Sequence, residues 1–393
     1  MPTNTPREVG QRIAILRRAK RMTQADLARV AFVSHATIRA IERGGRSPSD
    51  DTLDSIAAAL GVDPSRIVTG NTRTDSRVHA AIPAISAAIA SYDVPTDAPE
   101  RPLPELRDAV QQLMDWRLGA QYARIAKHAP VLLDDVLCTL HHSTGAGRLE
   151  AAQLVASTAR AADAVAFKYG YRDLSARLVD LMRWAAQQTE DPLTEAAAAY
   201  VRTETFFVAR AHTAGLRALE QAIDASPSTN GRAARASRGA LHMRAAVIAG
   251  RSGNADAATA HLQEARQFGD MLPEAEYNGT AFGPDSVRAH EVSVAVSLGQ
   301  DHVQMALNVA KEWTPPTDLP AERQSGFWIE LARAQLWAGR GDDAFESLKV
   351  ARLIAPQHTR EHPWARETAA TLRRLKRSDA ETLTSFAEWI GIV

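Results

Sequence analysis

The chain has 393 residues, of which 46 are basic and 46 acidic, so its formal net charge is zero. It contains 74 alanines against 24 valines and 16 isoleucines, a composition that favours helices and argues against a mostly β protein. The length is about two to three times that of a typical domain, which indicates more than one folding unit. The single Cys138 excludes an intramolecular disulfide and a cysteine-based zinc site.

The sequence shows no secretion signal at Met1 and no apolar run of roughly 18–20 residues that would span a membrane. We therefore expect a cytoplasmic protein. Arginine outnumbers lysine 40 to 6 in an alanine-rich chain, which suggests GC-rich coding and a bacterial source. No residue pattern calls for a cofactor or a metal ion.

The N-terminal end of the chain is basic. Residues 1–49 contain 10 arginines or lysines against only three acidic residues. This excess of positive charge is suited to an anionic partner such as nucleic acid.

Residues 1–70 contain several short amphipathic helices in succession. The first runs from Val9 to Lys20. Thr23 is a natural N-cap for a second helix, and Ser34 caps a third, whose Ile38 and Ile41 point into the core. A fourth helix begins at Ser49 or Asp50 and ends at Gly61, and Asp63 and Pro64 begin a last turn that contains Ile67.

The stretch TQADLARVAFVSHATIRAIERG, from Thr23 to Gly44, resembles the helix-turn-helix of lambda-repressor-like (XRE) transcription regulators. The likeness extends over roughly residues 7–68 and implies a five-helix DNA-binding domain whose third helix enters the major groove. The resemblance places DNA contacts at Gln24, Ser34, His35, Ala36, Thr37, Arg39, Ala40, Arg43 and Arg46. It also implies a structural ion pair between Arg17 and Glu42. Phe32 occupies the turn position that the family usually fills with glycine, and a left-handed conformation there would cost about 1–2 kcal/mol.

Residues 71–104 contain five of the 19 prolines, with serine, threonine and aspartate between them. We predict a proline-rich linker here, although Val78 to Ala90 has the composition of a short helix interrupted at Pro83.

Residues 105–393 contain a series of apolar-periodic segments that predicts an all-helical array. The best repeating unit has Trp328, Leu331 and Ala332 in one helix and Ala344, Leu348 and Ala351 in the next, followed by Pro356, which is the spacing of a tetratricopeptide repeat. A second unit, Ala246 to Ala265, has the same offsets after the turn at Gly253 and Asn254. Turns near 170, 210, 253, 299 and 339 give intervals of about 40 residues. We therefore predict an all-α protein with an N-terminal DNA-binding domain and a C-terminal TPR-like α-solenoid with a concave face; an ordinary helical bundle is the alternative for the array.

A helix-turn-helix domain followed by such an array resembles the peptide-responsive quorum-sensing regulators. The resemblance implies that a homodimer binds an operator and that the solenoid dimerises and senses a short peptide or a small molecule. In our repeat register, the inward positions, at which an effector would bind, are Tyr200, Glu204, Phe207, Met243, His290, Arg333 and Trp337. The family commonly clamps a peptide backbone with asparagines, but the array has only four, so the class of ligand stays open.

The sequence leaves two alternatives to a transcription regulator, an enzyme and an interaction scaffold. The sequence His358 to His362 has the H-x-x-E-H spacing of a zinc protease, but flanking prolines predict a loop between helices, and no catalytic set emerges, so we do not expect an enzyme. The second alternative is an interaction scaffold, in which the array recruits a protein partner and the N-terminal module is a tether.

Overall fold

The computed structural model describes residues 6–20, 22–60, 67, 75–94, 101–226, 231–375 and 380–392. Within these residues the protein is all-α, apart from one short β-hairpin.

In its described residues the N-terminal unit, which we call the head, contains four helices, and the fifth helix implied by the family resemblance falls mostly outside these residues. The four helices are α1 (Pro6–Ala19), α2 (Gln24–Val30), α3 (His35–Glu42) and α4 (Asp50–Leu60). Ile13, Leu27, Ile38 and Ile56 are fully buried at its centre, because each helix turns one apolar stripe inward. The predicted turn at Asp63 and Pro64 lies outside the described residues, but Ile67 is buried in the same core.

The segment predicted as a linker contains helix α5, Asp75–Ala90, which packs against the array. Val78, Ile85 and Ile89 are buried in the first core of the array. The helix continues through Pro83 because this residue is exposed, so the carbonyl four residues earlier can bond to water. The structure therefore differs here from the predicted linker. The apolar residues of the segment favour a packed helix more strongly than Pro83 disfavours it.

The array consists of antiparallel helices that stack on their neighbours in chain order. Its first half contains α6 (Leu103–Leu118), α7 (Tyr122–His142), α8 (Gly145–Lys168), α9 (Arg172–Ala186), α10 (Pro192–Ala209), α11 (His212–Ala225), α12 (Arg232–Arg251) and α13 (Ala255–Asp270). Its second half contains α14 (Pro284–Leu298), a 3₁₀ turn (Gln300–His302), α15 (Val303–Glu312), α16 (Ala321–Trp337), α17 (Gly341–Ile354), α18 (Pro356–Glu361), α19 (Pro363–Leu375) and α20 (Ala380–Ile390).

The small residues predicted at the helix contacts are where the repeat pattern requires them. Ala332 and Ala344 are completely buried between α16 and α17, and Ala258 and Ala265 are buried between α12 and α13. Alanine at a crossing point lets two helices approach closely. The turns near 170, 210, 253, 299 and 339 all contain a residue with positive φ.

The array curves so strongly that its beginning contacts its end. The Tyr122 hydroxyl at the start of α7 donates to Glu322 in α16 over 3.2 Å, and the Ala123 amide donates to Gln357 in α18 over 2.9 Å. Lys168 at the end of α8 forms an ion pair with Glu322 at 3.2 Å. These contacts bring the two ends of the array together around the concave face, which becomes a partly open central pocket.

The hairpin pairs β1 (Ala275–Tyr277) with β2 (Thr280–Phe282) between α13 and α14. Asn278 and Gly279 form its two-residue turn with φ values of 48° and 73°, the backbone of a type I′ turn. Phe282 is fully buried against Gly239 of α12, where a Cβ atom would lie 2.1 Å from the phenylalanine ring. The missing side chain at Gly239 therefore lets the hairpin dock on the array.

Among the described helices, none combines the length and the apolar character that a membrane span requires.

Candidate nucleic-acid interface and central pocket

Helix α3 is held in place by side-chain caps at the start of α2 and at its own start. The Thr23 hydroxyl accepts from the Asp26 amide at 3.1 Å while the Asp26 carboxylate accepts from the Thr23 amide at 3.0 Å, which forms a capping box. The Ser34 hydroxyl accepts from the Thr37 amide at 3.0 Å. Both helices therefore begin at the residues that the sequence predicts.

The turn between α2 and α3 places Phe32 in the left-handed region, with φ 53°. The Val33 amide donates to the Ala28 carbonyl at 3.0 Å and the Phe32 amide donates to Arg29 at 3.3 Å, which together form a Schellman motif. The Phe32 side chain is 96% exposed, so burial of its ring does not offset the strain of this conformation within the monomer.

Arg17 and Glu42 form a bidentate ion pair with nitrogen–oxygen distances of 2.6 and 2.8 Å. Arg17 also donates to the Met22 carbonyl, and Gln24 donates to Glu42 at 2.7 Å. Burial acts to raise the pKa of Glu42, but the hydrogen bonds from Arg17 and Gln24 outweigh it and hold this pKa below its usual value. The network fixes the end of α3 against α1 and α2.

The residues predicted to contact DNA lie on or beside one outward face of the head. His35, Ala36, Arg39, Arg43 and Arg46 are exposed. Thr37 and Ala40 are half-buried, as is Gln24, and Ser34 is exposed but engaged as a cap. This face presents three guanidinium groups, from Arg39 in the last turn of α3, from its C-cap Arg43 and from Arg46 just beyond it, which can neutralise phosphates while the N-terminal residues of the helix reach base edges.

A second candidate site is the central pocket, a cavity of about 340 Å³ enclosed by helices from both ends of the array and by the hairpin. Four of the residues predicted on the inner face line it: Tyr200, Glu204, Phe207 and His290. The prediction for Met243 is wrong, because α12 turns this side chain fully into the core between the repeats.

Arg333 and Trp337 do not line the cavity either. Both lie at its edge, where Arg333 stacks between Trp337 and Trp364 at 4.9 and 4.7 Å, and Trp364 is the ring that reaches the pocket. Arg333 and Trp337 continue the face of α16 that carries Arg323, Gly326 and Glu330, but they lie one and two turns beyond Glu330, past the residues that line the cavity.

The pocket contains an excess of cations. Six basic side chains line it, namely Arg117, Lys168, Arg160, Arg244, Arg251 and Arg323. Four carboxyl groups line it as well, those of Asp163, Glu204, Glu322 and Glu330.

Three of these arginines bond to the hairpin. Arg117 donates to the Gly279 carbonyl, and Arg160 donates to the Asn278 carbonyl at 2.9 Å and the Thr280 hydroxyl at 2.7 Å. Arg323 reaches the Ala281 carbonyl at 3.4 Å. The hairpin therefore closes one wall of the pocket through bonds between guanidinium groups and neutral oxygens.

Burial shifts the pKa values of two pocket carboxyls upward. Burial raises the pKa of Glu330 to about 7, although Ser293 donates to this group. Burial, with the nearby Glu204, raises the pKa of Asp163 well above its usual value. For Glu322, Lys168 and Arg117 outweigh burial and lower the pKa. Near neutral pH, two of the four acids thus contribute less negative charge than their number suggests.

The histidines of the pocket are neutral. Burial and Arg323 lower the pKa of His290 well below its usual value, and burial does the same for His358 and His362. The loop predicted around His358 and His362 is wrong: residues Pro356–Glu361 form the short helix α18, which begins with proline at its first position. His358 bonds to Ser325 and Lys168. The described residues contain no group of three potential ligands placed to hold a metal ion.

Sequence reasoning missed the basic residues of the pocket and the hairpin. A signal existed for both. Arg160 and Asp163 interrupt the alanine-rich α8, which is buried nearly all round, and charges in such a helix require partners. The dipeptide Asn278-Gly279 is the strongest short-range indication of a hairpin.

Comparisons with known proteins agree with the geometry of the head. Residues 13–67 match the family model described as "Helix-turn-helix". The chain is also 43% identical over 60 residues to the immunity repressor protein of Bacillus phage phi105, a stretch that covers 15% of this chain and 42% of the repressor. The chain thus spans less than half the length of this curated relative.

Three solved structures are similar at low identity. Bacillus thuringiensis PlcR, in complex with the peptide PapR7 and DNA, is 16% identical over 68% of this chain and 95% of its own, with a TM-score of 0.29. The apo competence regulator ComR of Streptococcus vestibularis is 14% identical over 74% and 98%, with a TM-score of 0.26. A point mutant of PrgX is 11% identical over 97% and 99%, with a TM-score of 0.27. Scores at this level establish no shared arrangement of the helices.

Proposed function

We propose that the protein is a sequence-specific transcription regulator whose head, residues 1–70, binds an operator through α3. The observation that carries the proposal is the outward face of α3, with Arg39, Arg43 and Arg46 exposed beside a helix fixed by the Arg17–Glu42 ion pair. The helix-turn-helix match over residues 13–67 and the phage repressor relative support it.

Selection of duplexes from a random pool by the full chain, followed by affinity measurements from 50 to 300 mM salt, tests this function. Each phosphate contact contributes about −0.9 to the slope of log affinity against log salt. Arg43→Ala and Arg46→Ala are each expected to reduce the slope by about one, whereas Arg177→Ala, on an exposed face of α9, is the matched control. No enrichment of any sequence, with no salt dependence, would contradict the proposal and favour the scaffold.

The regulator acts as a homodimer in this proposal. A single head of this size rarely holds an operator tightly, and two copies related by a two-fold axis would present two α3 helices about one helical turn of DNA apart. Sedimentation of the full chain with and without the selected duplex tests this. One protein molecule per duplex containing a palindrome would exclude it.

The central pocket is the effector site in this proposal. It is a single cavity of about 340 Å³ whose walls come from α6, α8, α10, α12, α14, α16 and the hairpin, so an occupant would bias how these elements pack. A ligand that prefers one packing shifts the population toward it and changes the placement of the heads. The measurement is operator affinity with and without a ligand shown to bind the pocket, and an unchanged affinity would reduce the array to a dimerisation unit.

A further inference from the structure

We infer that the central pocket binds a small aromatic carboxylate, whose negative charge is held by Arg160, Arg244 and Arg323. The inference rests on the proposed function only in naming the ligand as an effector. The charge, the aromatic walls and the size of the cavity indicate the class of ligand.

The pocket has fewer carboxyl groups than cations, with four acidic against six basic side chains in its lining. Glu322 alone is shared by Lys168 at 3.2 Å and Arg117 at 3.9 Å, and Glu204 pairs with Arg244 at 3.4 Å. Within the part of the chain that the structure describes, neither Arg160 nor Arg323 forms an ion pair with a carboxylate.

Neutral groups take the place of carboxylates around these two arginines. Arg160 is only 6% exposed and bonds to Asn278 and Thr280 of the hairpin, and Arg323 bonds to the ring of His290 and to Ala281. Arg117 Nε is buried without a hydrogen-bond partner. Carboxylates act on these two arginines only without direct bonds, Glu204 on Arg160 and Glu322 and Glu330 on Arg323, so an anion entering the pocket gains close charged hydrogen bonds that the protein itself does not supply.

Aromatic rings hold the cations in position and offer flat surfaces. The Arg244 guanidinium lies 4.9 Å from the centre of the Tyr200 ring and 5.0 Å from that of Phe207. Arg251 lies 4.5 Å from the ring of Trp364. The lining therefore combines aromatic walls with cations, and this combination fits an aromatic acid better than a bare inorganic anion.

The size of the cavity selects against long ligands. At about 340 Å³ it lies near the lower end of the range of roughly 300–1,000 Å³ for small-molecule sites. One or two fused rings with an acidic side group fill such a volume, whereas an extended peptide of several residues exceeds it.

Calorimetric titration of the full chain tests the charge requirement with indole-3-acetate and its neutral isostere indole-3-acetamide. The carboxylate is expected to bind at least tenfold more tightly than the amide. Inorganic phosphate is expected to bind at least tenfold more weakly than indole-3-acetate. Equal affinity for acid and amide, or for acid and phosphate, would overturn the inference. Tighter binding of the dipeptide Gly-Phe than of indole-3-acetate would overturn it in favour of a peptide C-terminus.

Two variants with opposite expected effects on the affinity for indole-3-acetate locate the site. Arg323→Gln is expected to weaken indole-3-acetate binding about tenfold, and Glu330→Gln, which removes a negative charge from the pocket, is expected to strengthen it severalfold at pH 8. Arg177→Gln on the exposed face of α9 is the control, expected to bind as the native chain does. If Arg323→Gln fails to fold, the higher affinity expected of Glu330→Gln tests the inference by itself, because unfolding does not increase affinity. No change in either variant would overturn the inference.

A parallel measurement of operator affinity separates the two proposals. Binding of the carboxylate without any change in operator affinity would contradict the regulatory function and leave the ligand class standing. If a neutral compound changes operator affinity and the chain does not bind the carboxylate, the inferred ligand class is contradicted and the regulatory function stands.

Discussion

Phe32 is the most strained residue of the head, since a bulky exposed side chain occupies a left-handed backbone conformation. The Schellman hydrogen bonds of the turn impose this conformation, and glycine adopts it without the steric cost. An exposed ring that the folded monomer does not use is a candidate contact to DNA or to a second protein molecule.

Phe32→Gly is expected to stabilise the head by about 0.5–1 kcal/mol, because relief of roughly 1–2 kcal/mol of strain exceeds the extra chain entropy of glycine in the unfolded state. Protection of α2 and α3 amides against hydrogen exchange measures the change. Phe32→Ala is the control, since alanine keeps the backbone strain and removes only the ring. A loss of protection in the glycine variant would contradict the prediction.

Glu330 connects the stability of the array to pH. Its pKa is about 7 in the folded chain against 4.5 for the free side chain, so the folded state holds a proton that the unfolded state releases. This contribution is present below pH 4.5 and is lost as the pH rises from about 4.5 to 7.

The difference in melting temperature between Glu330→Gln and the native chain isolates this effect from the other buried groups. The variant is expected to gain stability relative to the native chain as the pH rises from 5 to 8, because the amide does not ionise. A difference that is constant with pH would show that Glu330 does not titrate in this range.

At the scale of secondary-structure elements, the hairpin stands out because the repeat pattern of the array does not predict it. Its turn carbonyls accept from Arg117 and Arg160, and its Phe282 docks on α12 at Gly239. The hairpin therefore links α6 and α8, near the start of the array, to its middle, and it forms a wall of the pocket.

Gly239→Ala is expected to destabilise the array by about 1–3 kcal/mol, because the new methyl group overlaps the Phe282 ring and forces the hairpin outward. Denaturant unfolding measures the loss. The double variant Gly239→Ala with Phe282→Leu should recover part of it by shortening the overlapping side chain. A double variant no more stable than the single one would show that this contact does not set the hairpin position.

At the scale of the whole molecule, the head contacts the array through a sparse set of ion pairs. Asp50 of α4 pairs with Lys127 at 3.0 Å, with both side chains more than half exposed. Asp51 pairs with Arg124 at 3.8 Å, and Asp54 pairs with Arg77 at 3.9 Å. An exposed pair such as Asp50–Lys127 contributes about 0–1 kcal/mol and weakens with salt, whereas the side chains of Asp54 and Arg124 are only 16% and 25% exposed. A weak polar contact is suited to a head that is repositioned when DNA or an effector binds.

Lys127→Glu is expected to release the head, because it replaces an attraction to Asp50 with a repulsion. Small-angle scattering should show a larger radius of gyration for the variant than for the native chain at 100 mM salt, and the native chain should approach the variant at 500 mM. Lys311→Glu, at an exposed position of α15, is the charge-matched control. Identical scattering of the Lys127 variant and the native chain would show that these pairs do not hold the head.

The sequence alone determined where the helices of the DNA-binding motif begin, which of their residues point inward, and where small residues lie at helix contacts of the array. The N-caps Thr23 and Ser34, the inward Ile38 and Ile41, and the small residues Ala332 and Ala344 follow from hydrogen-bonding needs and helical periodicity within about twenty residues.

Only the tertiary structure determined which side chains meet around the central pocket. Arg117, Arg160 and Arg323 come from helices up to 206 positions apart in the chain and converge on a hairpin. Met243 directly precedes the pocket residue Arg244 but points into the core between the repeats, and Arg333 lies one turn beyond Glu330, past the lining of the cavity. Both placements depend on how the helices pack together, so the charge and size of the pocket emerge only in the folded array.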